Sequence, residues 1–150
     1  MGIAALKKTL EILLADDNPG DVRLTQEAFR RKQIPAKISV ARDGEDAMAF
    51  LRRQGKYAEA VRPNLILLDL NMPRKDGREA LREIKSDPNL KRIPVIVLTT
   101  SKADTDISKI YELGANSFIS KPVSFDSLVE VMKILGRYWF EIVELPAKKP

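Results

Sequence analysis

Three uninterrupted apolar runs constrain the fold of this chain more than any other feature. They are ILLA following Glu11, LILLD ending at Asp69, and VIVLT beginning at Val95. Runs this short and this apolar are typical of strands buried on both faces of a parallel sheet. Such a sheet needs a covering layer on each face, so the remaining chain has to supply crossover helices.

Amphipathic stretches between the runs complete five strand–helix repeats, with Pro and Gly at most junctions. The pattern predicts an α/β fold with a doubly wound, five-stranded parallel sheet and helices on both faces. The edge strand is the alternating segment around Ile38 and Val40. The predicted strands are Glu11–Ala15, Lys37–Ala41, Asn64–Asp69, Val95–Thr100 and Asn116–Ser120, and the predicted helices lie near Asp21–Lys32, Glu45–Arg53, Arg78–Lys85, Asp104–Leu113 and Phe125–Glu144.

One connection, Gln54–Pro63, is long for a helix-to-strand link. We expect a lengthened loop or an extra helical turn there. Arg74, Lys75 and Asp76, which follow the third strand, are interpreted as exposed turn residues without a chemical role.

The length of 150 residues suits one domain with its own core. We predict a single domain over 1–150, with a core of about 10–136 and an extended C-terminal helix and tail over 137–150. No apolar run approaches the roughly 20 residues that span a bilayer, and the N-terminus does not resemble a signal peptide. A cytoplasmic protein without membrane contact is therefore expected.

Composition excludes several classes of chemistry. The chain contains no Cys and no His, which removes disulfides, zinc–thiolate sites, Ser/His/Asp catalysis and a phosphohistidine carrier. The net charge of +5 comes from scattered basic groups interleaved with acids. That distribution indicates solvated faces rather than a direct nucleic-acid surface.

Polar residues stand at the carboxyl ends of the predicted strands, where open parallel sheets bind their ligands. Asp16 and Asp17 follow the first strand, Asp69 ends the third, Thr99 lies at the end of the fourth, and Lys121 follows the fifth. Carboxylates about 4 Å apart repel by ~4 kcal/mol at an effective dielectric of 20, so such a cluster takes up a cation or a proton. A magnesium ion fits oxygen ligands of this kind, and Asp69 could then accept a phosphoryl group.

The segments ILLADD, LILLDLNMPRKDG, PVIVLTTS and FISKP resemble the receiver domains of two-component response regulators over nearly the whole chain. The resemblance implies the flavodoxin-like fold with strand order 2-1-3-4-5. It also implies Mg²⁺ (or Mn²⁺) held by Asp16, Asp17, Asp69 and the backbone carbonyl of Asn71, with Asp69 as the phosphoacceptor and a sensor histidine kinase as the donor.

Two further positions carry the switch of the family by the same resemblance. Thr99 matches the switch hydroxyl and Phe118 the switch aromatic, while Lys121 matches the lysine that pairs with phosphoryl. Pro122 follows Lys121, and the resemblance implies that the peptide bond between them is cis, as is typical of the family. Thr100 replaces a common alanine, and with Asn71 and Ser101 it implies slow to moderate self-hydrolysis.

The long Gln54–Pro63 segment, PNLKRIPVIVLTTS and the aromatic group at 138–140 are similar to the small response regulators that partner bacterial phytochromes. This narrower similarity implies a light-regulated histidine kinase as phosphodonor. The implied protein is a phosphoacceptor and not an enzyme, apart from self-phosphorylation and slow self-dephosphorylation.

Alternative functions stay open at this point. An aspartate-nucleophile phosphatase needs a second aspartate two residues on, where this chain has Asn71, and a nucleotide-binding module needs a Gly-rich cradle where it has ADDNPGD. A receiver-like interaction module that works without phosphorylation is the remaining alternative, although the acids, Thr99 and Lys121 are all present.

The C-terminal helix carries two apolar stripes in SFDSLVEVMKILGRYWFEIVEL. One stripe can cover the sheet, and the other predicts an interface. We expect a homodimer whose interface includes Tyr138, Trp139, Phe140 and Val143. The alternative is that the tail folds back and is core.

Overall fold

The computed structural model describes residues 10–31, 36–72, 74–99 and 104–121, together with 124, 126, 127 and 130. Within these ranges the strands form one parallel sheet in the order β2-β1-β3-β4-β5. The predicted doubly wound α/β fold with strand order 2-1-3-4-5 is confirmed. The strands are β1 Leu10–Ala15, β2 Ala36–Ala41, β3 Leu65–Asp69, β4 Val95–Thr99 and β5 Ser117–Ser120.

The helices of the described residues are α1 Pro19–Arg31, α2 Gly44–Leu51, α3 Gly77–Ser86 and α4 Asp104–Glu112. A 3₁₀ turn at Gly55–Tyr57 lies in the long connection before β3, which confirms the extra helical turn expected there. None of the helices in this part of the chain is long and apolar enough to cross a bilayer. The predicted helix 125–144 falls almost wholly outside the described residues.

The sheet separates two apolar layers because successive side chains of each strand point to opposite faces. In β1, Leu13 and Ala15 belong to the layer that α2 and α3 cover, and that layer also contains Ile110 of α4. Ile12 and Leu14 belong to the layer beneath α1, which contributes Ala28 and Phe29. The central strands are therefore buried on both faces, as their apolar runs predict.

Glycine allows two helices to begin in close contact with the loops at the carboxyl ends of the strands. A Cβ on Gly77 would lie 2.2 Å from the carbonyl oxygen of Asp69, and one on Gly44 would lie 2.1 Å from that of Lys75. Each helix starts with a capping aspartate: Asp43 accepts from the Asp46 N–H at 2.7 Å, and Asp76 accepts from the Arg78 N–H at 2.6 Å.

The interpretation of residues 74–76 as exposed turn residues is confirmed for Arg74 and Asp76 and is wrong for Lys75. Arg74 has φ +63° and donates to Asp43 Oδ2 at 3.1 Å. Lys75 is partly buried and forms ion pairs with Glu79 and Glu83 of α3. Sequence position alone did not show that α2 and α3 pack against this loop and supply its partners.

Candidate functional site

The polar residues predicted at the strand ends lie together at one rim of the sheet. Strand register brings them there, since Ala15 is level with Leu68, Asp69 with Leu98, and Thr99 with Ser120. Parallel strands all point their carboxyl ends to the same edge. Residues widely separated in sequence are therefore neighbours.

Asp16, Asp17 and Asp69 form the acidic part of the rim. Each offers one carboxylate oxygen, and these oxygens all lie within 4.8 Å of one another. Asp16 and Asp69 are buried, whereas Asp17 is exposed to solvent. Three carboxylates at this separation repel strongly unless a cation or proton lies between them.

Asp16 is fixed by its backbone. Its N–H donates to the Ala41 carbonyl at 2.9 Å, and its Oδ1 accepts from the Asn18 N–H at 2.9 Å. Its Oδ2 is buried without a hydrogen bond, although Lys121 Nζ lies 3.2 Å away as an ion-pair partner. Burial raises the pKa of Asp16 to about 6, against the opposing influence of the Asn18 hydrogen bond and the Lys121 charge. The nearby ammonium does not fully offset the cost of burying this carboxylate, which also lies close to Asp69.

Asp69 presents both oxygens to donors. Oδ1 accepts from the Asn71 N–H at 3.0 Å, and Oδ2 accepts from Lys121 Nζ at 2.9 Å. The turn after β3 therefore folds back on the side chain that ends the strand. Asn71 itself is exposed.

The Lys121 ammonium is the cationic centre of the rim. It lies 2.8 Å from Asp21, 2.9 Å from Asp69 and 3.2 Å from Asp16, and its side chain is only 10% exposed. Burial lowers its pKa, but hydrogen bonds to Asp21 and Asp69 and the nearby charges raise the pKa above the ordinary value. Lys121 therefore stays protonated at neutral pH. The backbone N–H of Lys121 donates to the Thr99 carbonyl at 2.8 Å, and this bond connects the end of β5 to β4.

Asp21 is the rim residue that sequence reasoning missed. It lies in the first turn of α1, where an acid is ordinarily explained by the helix dipole. Its carboxylate instead contacts Lys121 from the helix side. In the sequence, only its position five residues after Asp16, at the start of a helix, indicated that Asp21 could lie near the rim.

The two predicted switch residues differ in environment. Thr99 is fully buried at the end of β4. Phe118 of β5 is partly buried, packs against the layer under α2 and α3, and meets Tyr111 edge-on with ring centroids 6.2 Å apart. Thr100, Ser101 and Pro122 lie outside the described residues, as do the predicted dimer residues Tyr138, Trp139, Phe140 and Val143.

The described residues fit a hard divalent cation. All the atoms that the acidic cluster offers as metal ligands are oxygens. One of them is a buried carboxylate oxygen without a hydrogen bond. Mg²⁺ and Mn²⁺ prefer such ligands and keep part of their water shell, which the exposed side at Asp17 would allow.

Comparison with known proteins agrees with this geometry. The family model described as "Response regulator receiver domain" matches residues 12–133. Response regulator Rcp1 of Synechocystis sp. is 48% identical over 136 residues, covering 91% of this chain and 92% of Rcp1.

Two solved structures are similar along most of their length. The phosphorylated cyanobacterial phytochrome response regulator RcpA is 49% identical with a TM-score of 0.76, over 89% of this chain and 95% of RcpA. The Mn²⁺-bound form of Rcp1 is 47% identical with a TM-score of 0.75, over 88% of this chain and 95% of that structure. With a matching family model, near full-length relatives and the acids and lysine gathered at one rim, the chain belongs to the response regulator receiver domain family.

Proposed function

We propose that this response regulator takes a phosphoryl group from the phosphohistidine of a sensor histidine kinase onto Asp69. The observation that carries the proposal is the contact of Asp69 Oδ2 with the Lys121 ammonium at 2.9 Å, beside two further carboxylates within 4.8 Å. A nucleophilic carboxylate, a fixed cation and a set of metal ligands are the groups that phosphoryl transfer to aspartate requires.

In this reaction an oxygen of Asp69 attacks the phosphorus and forms the P–O bond of an acyl phosphate. The P–N bond of the donor breaks, and its electron pair stays on the imidazole nitrogen, which takes up a proton. Lys121 offsets the charge of the transferred group. Asp16, Asp17, Asp69 and the carbonyl of Asn71 would hold Mg²⁺ or Mn²⁺, which when bound supplies charge neutralisation to phosphoryl oxygens.

The response to phosphorylation would pass through Thr99 and Phe118. Thr99 would hydrogen-bond the phosphoryl group, and Phe118 would repack against its core layer without a hydroxyl to expose. The output is then a change in partner contacts or in a homodimer formed by the C-terminal helix, with Tyr138, Trp139, Phe140 and Val143 in the interface.

A phytochrome-type kinase is the proposed phosphodonor, and the cytoplasm is the proposed location. The name of RcpA, a phytochrome response regulator that is 49% identical, supports this donor. We propose no enzymatic activity beyond self-phosphorylation and slow self-dephosphorylation.

Acetyl phosphate with Mg²⁺ tests the acceptor. Intact-mass spectrometry should show one added phosphoryl group on the wild type and none on Asp69→Asn. Glu45→Gln, an exposed acid on the first turn of α2, is the matched control and should be labelled normally. Label on Asp69→Asn would contradict the assignment of the acceptor, and an unlabelled wild type would favour a phosphorylation-independent interaction module.

A further inference from the structure

We propose that Asp21 is a positioning residue for phosphoryl transfer, which holds the Lys121 ammonium in the resting protein and releases it when phosphoryl arrives on Asp69. The inference rests on the proposed function and names a residue that regulates that same site. Of the three carboxylates around Lys121, Asp21 makes the shortest contact, at 2.8 Å.

The ammonium group of Lys121 can donate only a limited number of hydrogen bonds. Lys121 has three N–H groups. Asp16, Asp21 and Asp69 each already place a carboxylate oxygen within 3.2 Å of its Nζ atom. A phosphoryl group on Asp69 adds new anionic oxygens beside the same ammonium. These oxygens compete with the present partners for the same ammonium, so the contact that is least costly to break should yield first.

Burial decides which partner leaves. The Asp16 side chain is 0% exposed and that of Asp69 is 3% exposed, whereas that of Asp21 is 20% exposed. A carboxylate that leaves an ion pair is stable only if water replaces the lost donor. Asp21 can be rehydrated by solvent, so its contact is the least costly to break.

The backbone of Asp21 is held independently of its carboxylate. Its N–H donates to Asn18 Oδ1 at 3.0 Å, and its carbonyl accepts from Thr25 Oγ1 at 3.0 Å. Release from Lys121 therefore requires only a side-chain rotation, and the first turn of α1 stays in place.

Competition for the ammonium has a direct consequence for affinity. In the wild type, binding of phosphoryl includes the cost of separating Asp21 from Lys121. A neutral amide at position 21 accepts a weaker hydrogen bond and so lowers that cost. Asp21→Asn should bind a phosphoryl analogue more tightly than the wild type.

The probe is trifluoroberyllate, titrated in saturating Mg²⁺ and followed by ¹⁹F NMR. Its beryllium becomes tetrahedral when a carboxylate oxygen of Asp69 coordinates it, so that the bound group stands in for phosphoryl. We expect Asp21→Asn to bind it roughly twofold to fivefold more tightly, which is the range for loss of one partly exposed ion pair. Equal affinities of the two proteins would overturn this inference and leave the proposed function standing. A wild type that does not bind trifluoroberyllate would count against the proposed function instead.

Glu45→Gln is the matched control, because it removes one negative charge from the first turn of another helix. Its affinity should equal that of the wild type; an equal gain would mean that net charge is the cause and would overturn the inference. The Val22 amide resonance supplies a second readout. It should shift when the wild type binds trifluoroberyllate and should not shift in Asp21→Asn, and a shift of the same size in both proteins would contradict release. Asp21→Ser serves in the same two measurements if the amide variant folds poorly.

Discussion

Two partly buried lysines at opposite ends of the sheet show how partners decide what a side chain does. Lys121, at the carboxyl ends of the strands, contacts three carboxylates. Lys85, near the amino ends of β4 and β5, donates to the carbonyls of Ile93 at 2.9 Å and Lys91 at 3.1 Å. In the described part of the chain Lys85 forms no ion pair with a carboxylate.

The pKa values of the two lysines consequently shift in opposite directions. Burial lowers the pKa of Lys85, with no charge to oppose it. Burial also acts to lower the pKa of Lys121, but its carboxylate partners reverse the direction. The neutral acceptors around Lys85 make it a structural tie between α3 and the following loop. The excess of negative charge around Lys121 makes its end of the sheet ready to take up cations.

The largest difference should appear when each lysine is replaced by Met. In the absence of metal, Lys121→Met leaves three carboxylates facing one another, and we expect a loss of about 3–5 kcal/mol in the free energy of unfolding. Urea denaturation at neutral pH measures it, with exposed Lys109→Met as the control. A Lys121→Met protein as stable as the wild type would show that the acids are not mutually repulsive.

Magnesium should stabilise the protein through the carboxyl-end rim of the sheet and not through the end where Lys85 lies. At a concentration one hundred times its dissociation constant, Mg²⁺ should stabilise the wild type by about 2.7 kcal/mol. Asp17→Ala should reduce this gain because it removes a proposed ligand, while Lys85→Met should respond as the wild type does. Thermal denaturation with and without Mg²⁺ decides the matter, and a wild type indifferent to the ion would contradict the proposed site.

The smallest effect belongs to Lys85. Lys85→Met leaves the carbonyls of Lys91 and Ile93 without this donor, and we expect a loss of about 1–2 kcal/mol. The pH dependence has a definite sign. Because the folded-state pKa lies below the ordinary 10.5, the folded protein binds fewer protons than the unfolded chain just below that pH. This lysine therefore adds stability as pH rises toward 10.5.

The difference between the denaturation curves of the wild type and Lys85→Met isolates this contribution from that of other alkaline groups. A wild type that loses stability relative to the variant over the same alkaline range would contradict the lowered pKa.

The amino-acid sequence predicted the fold and the main acids of the site because both depend on local patterns. Apolar runs fix which strands are buried, and a parallel sheet then brings every strand end to one rim. Asp69 and Lys121 could be placed from strand ends alone. The extra turn at Gly55–Tyr57 followed from the length of its connection.

Contacts that depend on how helices pack could not be predicted in this way. Asp21 is an ordinary acid of a first helical turn until the fold places the start of α1 against Lys121. The sequence around Lys75 predicts a solvated turn residue, but in the fold α3 brings Glu83 to it. Lys85 is likewise an unremarkable basic residue at a helix end, and only the tertiary fold surrounds it with carbonyls.

The close contact at Gly77 gives the site a mechanical property. A methyl group at this position would lie 2.2 Å from the carbonyl oxygen of Asp69, and the Gly77 N–H donates to Leu70 at 3.1 Å. The first turn of α3 is thus held directly against Asp69, which ends β3, and against Leu70, which follows it. A backbone shift at Asp69 would therefore move α3 as a rigid body, because the two are in direct contact and the loop that links them does not absorb the displacement.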